Sequence, residues 1–434
     1  MSKVDPAPPE GRSRIEYVLT EAWKRPFFRD HWRLSNVNQV VELARSNSLH
    51  ELPIVRRSHL RDHWDRIIDF TDAVDVCSTS GTTGRPVDIP VHRDEYQIRV
   101  SMVRRALSEL GLRPDTRVLT LLSLNDMFTL GPLVWLAIKS IGACAVRQSA
   151  QRVDRILQII EFIRPEFVVG NPIVLARIAE EAKDAWPEPE TMPTKRAFFG
   201  AAASFDSNGS PTPAAKAVER FWGVGAGMHI NHFGCSETGP VGHECLHHGG
   251  MHIYDDFNLV QLVDPETGTV VSDSNRPGEV VVTALTQPRG FLPIRYSMGD
   301  IVAWMRTDRC SCGRSSARLG PVLGRVDHQL RIDGQTVFPD LLLNIVDSCP
   351  GVRRSAVRVT TDPLLGEVVT VLVVSSLETK NLQNCIEEKL RRNLAVVPKI
   401  EIMTEAAFKE LEDARGKRTN MVKIPRFFDF RNYS

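Results

Sequence analysis

The sequence lacks long apolar runs and any excess of one charge. No uninterrupted apolar stretch approaches the ~18 residues that a membrane-spanning helix needs. The 54 Lys and Arg residues nearly balance the 53 Asp and Glu residues, which leaves a formal net charge of +1. Nucleic-acid coats and membrane-surface proteins depend on excess positive charge, so we expect neither nucleic acid nor a membrane as a partner.

Export signals and closely spaced cysteines are also scarce. The N-terminal "MSKVDPAPPEGRSR" is polar and proline-rich, and it lacks the apolar stretch of a signal peptide. We expect a loose leader of about ten residues there and a cytoplasmic protein. The 8 cysteines are spread along the chain, and without an export signal we expect them to be reduced.

Short apolar runs alternate with segments of helical spacing through the first half of the chain. The runs "RVLTLLSL" (117–124), "FVVG" (167–170) and "KRAFFGAAA" (195–203) are predicted strands. Because strands that alternate with helices build parallel sheets, we predict a largely parallel α/β sheet. A length of 434 residues is too great for one ordinary core, so at least two domains are expected.

The pattern changes twice further along the chain. Residues 249–304 are rich in β-type runs and contain the turn signals "DPETG" and "NRPG", which predicts an antiparallel β-subdomain. After Gly324, short strands alternate with helices, which indicates a small α+β domain. The predicted fold class is therefore α/β, with a large N-terminal domain over 1–326 and a small C-terminal domain over 327–434.

The loop "CSTSGTTGRPVDIP" (77–90) concentrates hydroxyl groups, two glycines and a cation in one short segment. Small residues let backbone N–H groups and hydroxyls approach phosphate oxygens, and a cation offsets their charge. A Walker loop is a poor match, because Gly81 and Gly84 are too close together and a strand is predicted to follow. A flexible turn is the alternative interpretation.

The loop resembles the phosphate loop of the adenylate-forming enzymes, which include acyl-CoA synthetases, nonribosomal peptide adenylation domains and luciferases. That family usually has lysine where this chain has arginine. The resemblance implies a set of residues that hold the β- and γ-phosphates of ATP: Ser78, Thr79, Ser80, Gly81, Thr82, Thr83, Gly84 and Arg85.

A second motif of that family follows in order. "HFGCSETGPVG" (232–242) resembles its aromatic-Gly-x-Ser/Thr-Glu motif. The resemblance implies that Phe233 stacks on adenine, with Gly234 beside it in the nucleotide site. It also implies that Ser236 contacts the α-phosphate and that Glu237 helps to hold Mg²⁺. A metal across the phosphates and a donor at the α-phosphorus are what an in-line displacement needs.

Two later segments complete the nucleotide site and add a hinge. "RYSMGDI" (295–301) and "GRVDHQLRIDGQTVFP" (324–339) both resemble family motifs. By that resemblance Asp300 accepts hydrogen bonds from the ribose hydroxyls, and Arg325 supports the nucleotide. Asp327 falls at the hinge about which a mobile C-terminal domain turns.

A catalytic lysine is expected near the C-terminus, where the family has Gly-Lys-x-x-Arg. The ending "MVKIPRFFDFRN" places Lys423 in that role, with Val422 in place of the glycine. "ARGKRTN" offers Lys417 after a glycine but lacks the downstream pattern. We favour Lys423, whose ammonium would bridge the substrate carboxylate and the α-phosphate.

Within the superfamily the chain resembles the phenylacetate-CoA ligase branch, because of its early phosphate loop, the "FP" that ends the hinge motif and the final "RFFDFR". That branch has a glutamate where this chain has Ala202 in "FGAAASF". Small residues there leave room for a benzoate, anthranilate or phenylacetate ring. A structural role for the histidine of this pocket stays open. The candidate pocket residues are Phe128, Ala201, His232 and Gly239.

The pair Cys310 and Cys312 follows the segment "HECLHHGGMHI", which contains further cysteine and histidine residues. A Cys-x-Cys pair and a distant Cys/His pair suit tetrahedral Zn²⁺, and members of the phenylacetate-CoA ligase branch carry such a site with Cys-x6-His spacing. Reduced cysteines without metal are the alternative. The predicted ligands of a structural zinc are Cys245, His252, Cys310 and Cys312, with His247 as a substitute.

The predicted function is an ATP-dependent aryl acid–CoA ligase that forms acyl-AMP and transfers the acyl group to coenzyme A. A stand-alone enzyme that loads a separate carrier protein is a first alternative. An inactive nucleotide- and zinc-binding regulatory protein is a second. The expected ligands are ATP, Mg²⁺, coenzyme A, an aryl carboxylate and structural Zn²⁺, and a homodimer is left open.

Overall fold

A computed structural model describes the fold over residues 13–79, 85–125, 127–206, 208–286, 289–332, 335–362, 366–375, 379–416 and 426–431. No helix within these ranges is long and apolar enough to cross a membrane. The predicted leader lies outside the described residues. So do seven candidate site residues: Ser80, Gly81, Thr82, Thr83, Gly84, Lys417 and Lys423.

The α-helices of the described ranges are α1 (Arg14–Trp23), α2 (Pro26–Trp32), α3 (Val37–Arg45), α4 (Arg57–Asp62), α5 (Trp64–Ile67), α6 (Arg93–Glu109), α7 (Leu130–Ile141), α8 (Val153–Gln158), α9 (Pro172–Glu181), α10 (Pro213–Trp222), α11 (Pro339–Asp347), α12 (Thr379–Leu394) and α13 (Glu405–Gly416). Short 3-10 turns occupy Leu49–Glu51, Pro189–Thr191 and Val326–His328, and a π turn occupies Ile159–Ile163.

The strands of the same ranges are β1 (Ala73–Ser78), β2 (Asp88–His92), β3 (Arg117–Thr120), β4 (Cys144–Arg147), β5 (Phe167–Gly170), β6 (Arg196–Gly200), β7 (His229–Cys235), β8 (Gly239–Glu244), β9 (Met251–Ile253), β10 (Asn258–Val263), β11 (Gly278–Ala284), β12 (Tyr296–Val302), β13 (Met305–Arg306), β14 (Arg318–Leu319), β15 (Val322–Arg325), β16 (Leu330–Ile332), β17 (Gln335–Val337), β18 (Val352–Asp362), β19 (Gly366–Ser375), β20 (Lys399–Met403) and β21 (Phe427–Asp429).

Helices α1 to α5 form a helical layer ahead of the first strand, which the sequence patterns above did not predict. Ser13 begins α1 through a capping box with Glu16, and Pro26 occupies the first turn of α2, where its missing N–H costs nothing. The apolar faces of the layer bury Leu19 and Phe28 against Tyr296 of β12. The layer thereby brings α4 against the β-subdomain.

The alternation of strands and helices builds the predicted parallel sheet, which is confirmed. The strands lie in the order β13-β14-β9-β8-β7-β6-β5-β3-β4, and those from β7 to β4 pair in parallel. Helices α6 and α7 cover one face, and α8 to α10 cover the other. Residues such as Val134 and Leu175 are fully buried there, and each contributes about 1.5–3 kcal/mol.

Beyond β7 the same sheet becomes antiparallel, and its side chains alternate between the two faces. His232, His243 and His252 are paired across β7, β8 and β9, so they share one face. The neighbouring residues of these strands lie on the opposite face; they are Asn231, Glu244 and Met251. A separate antiparallel sheet, in the order β10-β11-β12-β15, completes the predicted β-subdomain.

The chain after the turn Val326–His328 forms its own sheet, in the order β20-β19-β18-β21. Helices α11 and α12 pack on it around Leu342, Val357 and Leu390. Arg426, just before β21, pairs with Asp347 of α11 at 2.6 Å. The sheet and its helices form the predicted α+β unit, while the domain boundary at 326/327 stays a prediction.

Candidate active site

The candidate site is built around the turn between β7 and β8, at the carboxyl end of the parallel strands. β7 ends at Cys235, and Ser236 and Glu237 follow before β8 begins at Gly239. The carboxyl ends of parallel strands are where open α/β folds bind ligands. The motif singled out in the sequence therefore lies where a ligand site is expected.

Ser236 joins this turn to the start of the predicted phosphate loop. Its Oγ donates a hydrogen bond to the Ser78 carbonyl at 3.0 Å and accepts one from Thr129 Oγ1 at 3.0 Å. The buried guanidinium of Arg99 donates to the Ser236 carbonyl at 3.2 Å and pairs with Glu95 at 2.6 Å. These contacts hold the hydroxyl in place between two elements that are distant in the sequence.

Gly239 allows Arg99 to approach the turn. Its φ of +71° lies in the left-handed region, and a Cβ at this position would lie 2.6 Å from Arg99 Nε. Any larger residue would be strained by the backbone and would collide with the guanidinium. The close approach of Arg99 therefore explains why the motif has a glycine at this position.

Glu237 is buried and is held by two side chains that the sequence motifs did not identify as partners. Its Oε1 accepts hydrogen bonds from Arg57 Nε at 2.9 Å and from the Tyr296 hydroxyl at 2.7 Å. Burial disfavours the charged form, but Arg57 and Tyr296 overcome it and hold the pKa of Glu237 below its ordinary value. An ionised carboxylate of this kind is the type of oxygen ligand that Mg²⁺ prefers.

The described ends of the predicted phosphate loop lie on the hairpin β1–β2. The Thr79 N–H donates to the Val87 carbonyl at 3.0 Å, and Thr79 Oγ1 accepts from the Val87 N–H at 2.9 Å. The side chain of Arg85 is exposed, and its carbonyl accepts a hydrogen bond from Arg61 at 3.1 Å. The base of the loop is thus closed by hydrogen bonds.

Asp300 and Arg325 lie side by side on paired strands. β12 and β15 pair with Asp300 opposite Arg325, and Arg325 Nη1 lies 3.1 Å from the Asp300 carboxylate. Arg325 Nε lies 3.1 Å from the carboxylate of Asp327, where the chain enters the turn Val326–His328. One cation therefore links the predicted ribose ligand to the predicted hinge.

Two of the predicted pocket residues border the same apolar cluster. The His232 ring lies 5.8 Å from that of Phe198, centroid to centroid, and Phe128 packs on the cluster that contains Phe198. Burial lowers the pKa of His232 to about 3, so this ring is neutral.

Phe233, predicted to stack on adenine, is 8% exposed and packs in the core of the β-subdomain.

The loop after β6 replaces the expected glutamate with alanines, and two amide side chains hold it. Asn171 Nδ2 donates to the Ala201 carbonyl at 3.5 Å, and Asn231 Nδ2 donates to the Ala202 carbonyl at 3.1 Å. Ala201 itself has a left-handed φ of +64°. The loop is therefore fixed through its backbone.

The predicted zinc ligands come together. The donor atoms of Cys245, His252, Cys310 and Cys312 all lie within 4.8 Å of one another. Cys245 Sγ is 3.8 Å from Cys310 Sγ, and Cys312 Sγ is 3.4 Å from His252 Nε2. His247, the predicted substitute, is not part of this group of donors.

A cavity of about 250 Å³ lies on the opposite face of the sheet from His232. Glu244 lines it and is 6% exposed. Its Oε2 accepts hydrogen bonds from the Asn231 N–H at 2.8 Å and from Ser204 Oγ at 3.2 Å. Burial raises the pKa of Glu244 to about 7, although these hydrogen bonds oppose the shift. Only the register of β7 against β8 reveals this arrangement, so no sequence motif could have found it.

Comparison with known proteins agrees with the geometry. A family profile described as AMP-binding enzyme matches residues 13–292. The phenylacetate-coenzyme A ligase of Thermus thermophilus is 29% identical over 311 residues, which cover 70% of this chain and 67% of that protein. The corresponding ligase of Pseudomonas putida is 24% identical over 334 residues, which cover 75% and 72%.

A solved structure shares the fold over nearly the whole chain. It is that of 2-hydroxyisobutyryl-CoA ligase in the postadenylation state, in complex with R3-HIB-AMP, with a TM-score of 0.78 and 18% identity. The match covers 98% of this chain and 91% of that one. The chain thus belongs to the AMP-binding enzyme family, in the phenylacetate-CoA ligase-like branch of the adenylate-forming superfamily.

Proposed function

We propose that the protein is an ATP-dependent aryl acid–CoA ligase. Membership of the family makes it an enzyme that activates a carboxylic acid with ATP as an acyl-AMP. The observation that carries the proposal is the convergence of Ser78, Ser236 and Glu237 at one turn. The aryl acid is inferred from the phenylacetate-coenzyme A ligases to which the chain is similar.

In the first half-reaction, a carboxylate oxygen of the acid attacks the α-phosphorus of ATP, and the bond to the bridging oxygen breaks with release of pyrophosphate. Ser236 would turn its hydroxyl from the Ser78 carbonyl to donate a hydrogen bond to the α-phosphate, and Glu237 would help to hold Mg²⁺, which would offset the charge of the phosphates. Asp300 would accept hydrogen bonds from the ribose hydroxyls. The acid and the nucleotide are thereby held in line.

In the second half-reaction, the thiol of coenzyme A loses its proton and attacks the carbonyl carbon of the acyl-AMP. The carbon–oxygen bond to the phosphate breaks, and AMP leaves. Lys423 would serve the first half-reaction only, because a rotation about Asp327 removes it and admits the thiol.

Acid-dependent exchange of labelled pyrophosphate into ATP tests the first half-reaction. We expect exchange with benzoate, anthranilate or phenylacetate to exceed exchange with aliphatic acids. The Glu237→Gln variant lacks the charge that would hold Mg²⁺, so its exchange should fall by about 100-fold. If none of the acids supports exchange, the inactive regulatory protein would be favoured. Equal exchange with aryl and aliphatic acids would overturn the aryl assignment.

The acyl acceptor is tested separately. We expect acyl-CoA to form when coenzyme A is added to the enzyme, the acid and ATP. Turnover with a carrier protein that bears a pantetheine arm, and none with free coenzyme A, would show that the protein is a carrier-loading enzyme and not a coenzyme A ligase.

We further propose that Cys245, His252, Cys310 and Cys312 hold a structural Zn²⁺. Four nitrogen and sulfur donors are the usual set for tetrahedral zinc. His252 Nδ1 lies 2.9 Å from Ser316 Oγ, an arrangement that orients the ring and leaves Nε2 to the metal.

Bound-metal analysis of the purified protein tests the zinc site. We expect about one equivalent of zinc per chain, lost in Cys312→Ser and kept in Cys144→Ser, which alters an exposed cysteine elsewhere. Less than about 0.2 equivalents in the wild type would contradict the site.

A further inference from the structure

The cavity lined by Glu244 lies next to the proposed ribose site. Val322 lines it and begins β15, which ends at Arg325 opposite Asp300. At about 3.3 Å per residue, that strand spans about 10 Å. A purine attached to a ribose at Asp300 would be long enough to span that distance.

The other side of the cavity is formed by the loop that lacks the expected glutamate. Ala203 and Ser204 line the cavity together with Asn231 and Glu244. Ser204 and Asn231 are also the two residues that donate hydrogen bonds to Glu244 Oε2. Strand β8 thus places a carboxyl group beside the loop in which Ala202 has none.

The hydrogen bonds at Glu244 leave one of its oxygens for a ligand. Oε2 accepts from two donors, whereas Oε1 has no hydrogen-bond partner within the described part of the chain. Since Glu244 lines the cavity, a ligand in the cavity with a matching donor could pair with this oxygen. Oε1 offers an acceptor, and the exocyclic amine of adenine is a donor.

We propose that Glu244 selects adenine over 6-oxopurines, through a hydrogen bond from the 6-amino group of the base to Oε1. When Glu244 is ionised, a 6-oxopurine would place its own oxygen against Oε1, so that two acceptors face each other without a proton between them. The comparison of the two bases is therefore made above pH 7. This assignment rests on the proposed function, since it requires the nucleotide to lie at Asp300 and Arg325.

The Glu244→Gln variant tests the assignment, because the surrounding donors fix the orientation of the new amide. The Asn231 N–H can only donate, so it requires an oxygen at the Oε2 position, to which the Ser204 hydroxyl can also donate. The amide nitrogen must then take the Oε1 position and present a donor to the cavity. The preference for adenine over hypoxanthine should fall by about tenfold or more.

Two measurements report this preference. The first is kcat/KM for ATP and for ITP in acid-dependent pyrophosphate exchange. The second is the affinity for AMP and for IMP by calorimetry, which needs no knowledge of the acid. Glu190→Gln is the matched control, since it makes the same change at an exposed carboxyl group that does not line the cavity, and its ratio should equal that of the wild type.

Ser204→Ala gives a second reading that does not depend on the folding of the glutamine variant. It keeps the carboxyl group and removes one of the two donors that orient it, so the adenine preference should fall by about threefold. An adenine preference unchanged in both variants would overturn the role of Glu244 while leaving the ligase intact. A wild type that binds neither AMP nor IMP would overturn the proposed function itself.

Discussion

Acid should destabilise the folded protein through His232. This side chain is 7% exposed, and its Nε2 has no hydrogen-bond partner within the described ranges. Burial lowers its pKa to about 3 from the ordinary 6.5, and the nearby His243 lowers it further. Below pH 6.5 the imidazole of His232 is therefore protonated in the unfolded chain but still neutral in the folded chain. Stability is fully present above that pH and falls toward pH 3, by up to about 1.4 kcal/mol per pH unit.

Denaturant unfolding at a series of pH values measures this effect. We expect His232→Leu to show a shallower loss of stability with acid than the wild type, because the variant has no imidazole to protonate. His50→Gln, which alters an exposed histidine, should keep the wild-type slope. Equal slopes for wild type and His232→Leu would mean that the His232 ring is not held neutral.

At the scale of elements, helix α4 and strand β12 clamp the turn after β7. Arg57 of α4 directs both Nε and Nη2 to Glu237 Oε1 at 2.9 Å, and Tyr296 of β12 binds the same oxygen. Arg57→Ala leaves a buried carboxylate without its cation, which should destabilise the fold by about 3 kcal/mol. Without that cation the carboxylate is poorly held for Mg²⁺, so pyrophosphate exchange should fall by about 100-fold.

The lysine variant separates the clamp from a purely structural role. Arg57→Lys keeps the charge and loses the paired contact, so exchange should be partly restored relative to Arg57→Ala. Arg66→Ala is the matched control, since Arg66 forms an exposed pair with Asp30 on the neighbouring helix, where such pairs contribute little. Full exchange in Arg57→Ala would show that Glu237 needs no clamp.

Elements with a local signal could be predicted from the sequence, whereas contacts between distant segments could not. The apolar runs at β3, β5 and β6 and the motif at Ser236 and Glu237 each carry their information in a few neighbouring residues. No local sequence pattern marks Arg57, because its helix precedes the first motif and its partner, Glu237, lies far along the chain. Glu244 is hidden for a related reason: its neighbours are set by the register between β7 and β8.

At the scale of the whole molecule, the two proposed half-reactions at one site would need two positions of the C-terminal sheet and its helices. β21 pairs with β18 in that sheet, and the Phe427 ring lies 4.6 Å from the ring of His328, in the predicted hinge turn. Lys423 precedes Arg426 by three positions in the sequence and lies outside the described residues. The proposed function assigns Lys423 to the first of these two positions only.

This assignment predicts that Lys423→Ala separates the two half-reactions. Formation of acyl-AMP should be lost, because no ammonium then bridges the substrate carboxylate and the α-phosphate. Formation of the thioester from preformed acyl-AMP should be largely kept, because the rotation removes this lysine before the thiol arrives. Single-turnover assays of each half-reaction measure both, with Lys417→Ala as the matched control that keeps both rates. Equal damage to the two half-reactions, or selective loss of the first in Lys417→Ala instead, would place the catalytic ammonium elsewhere.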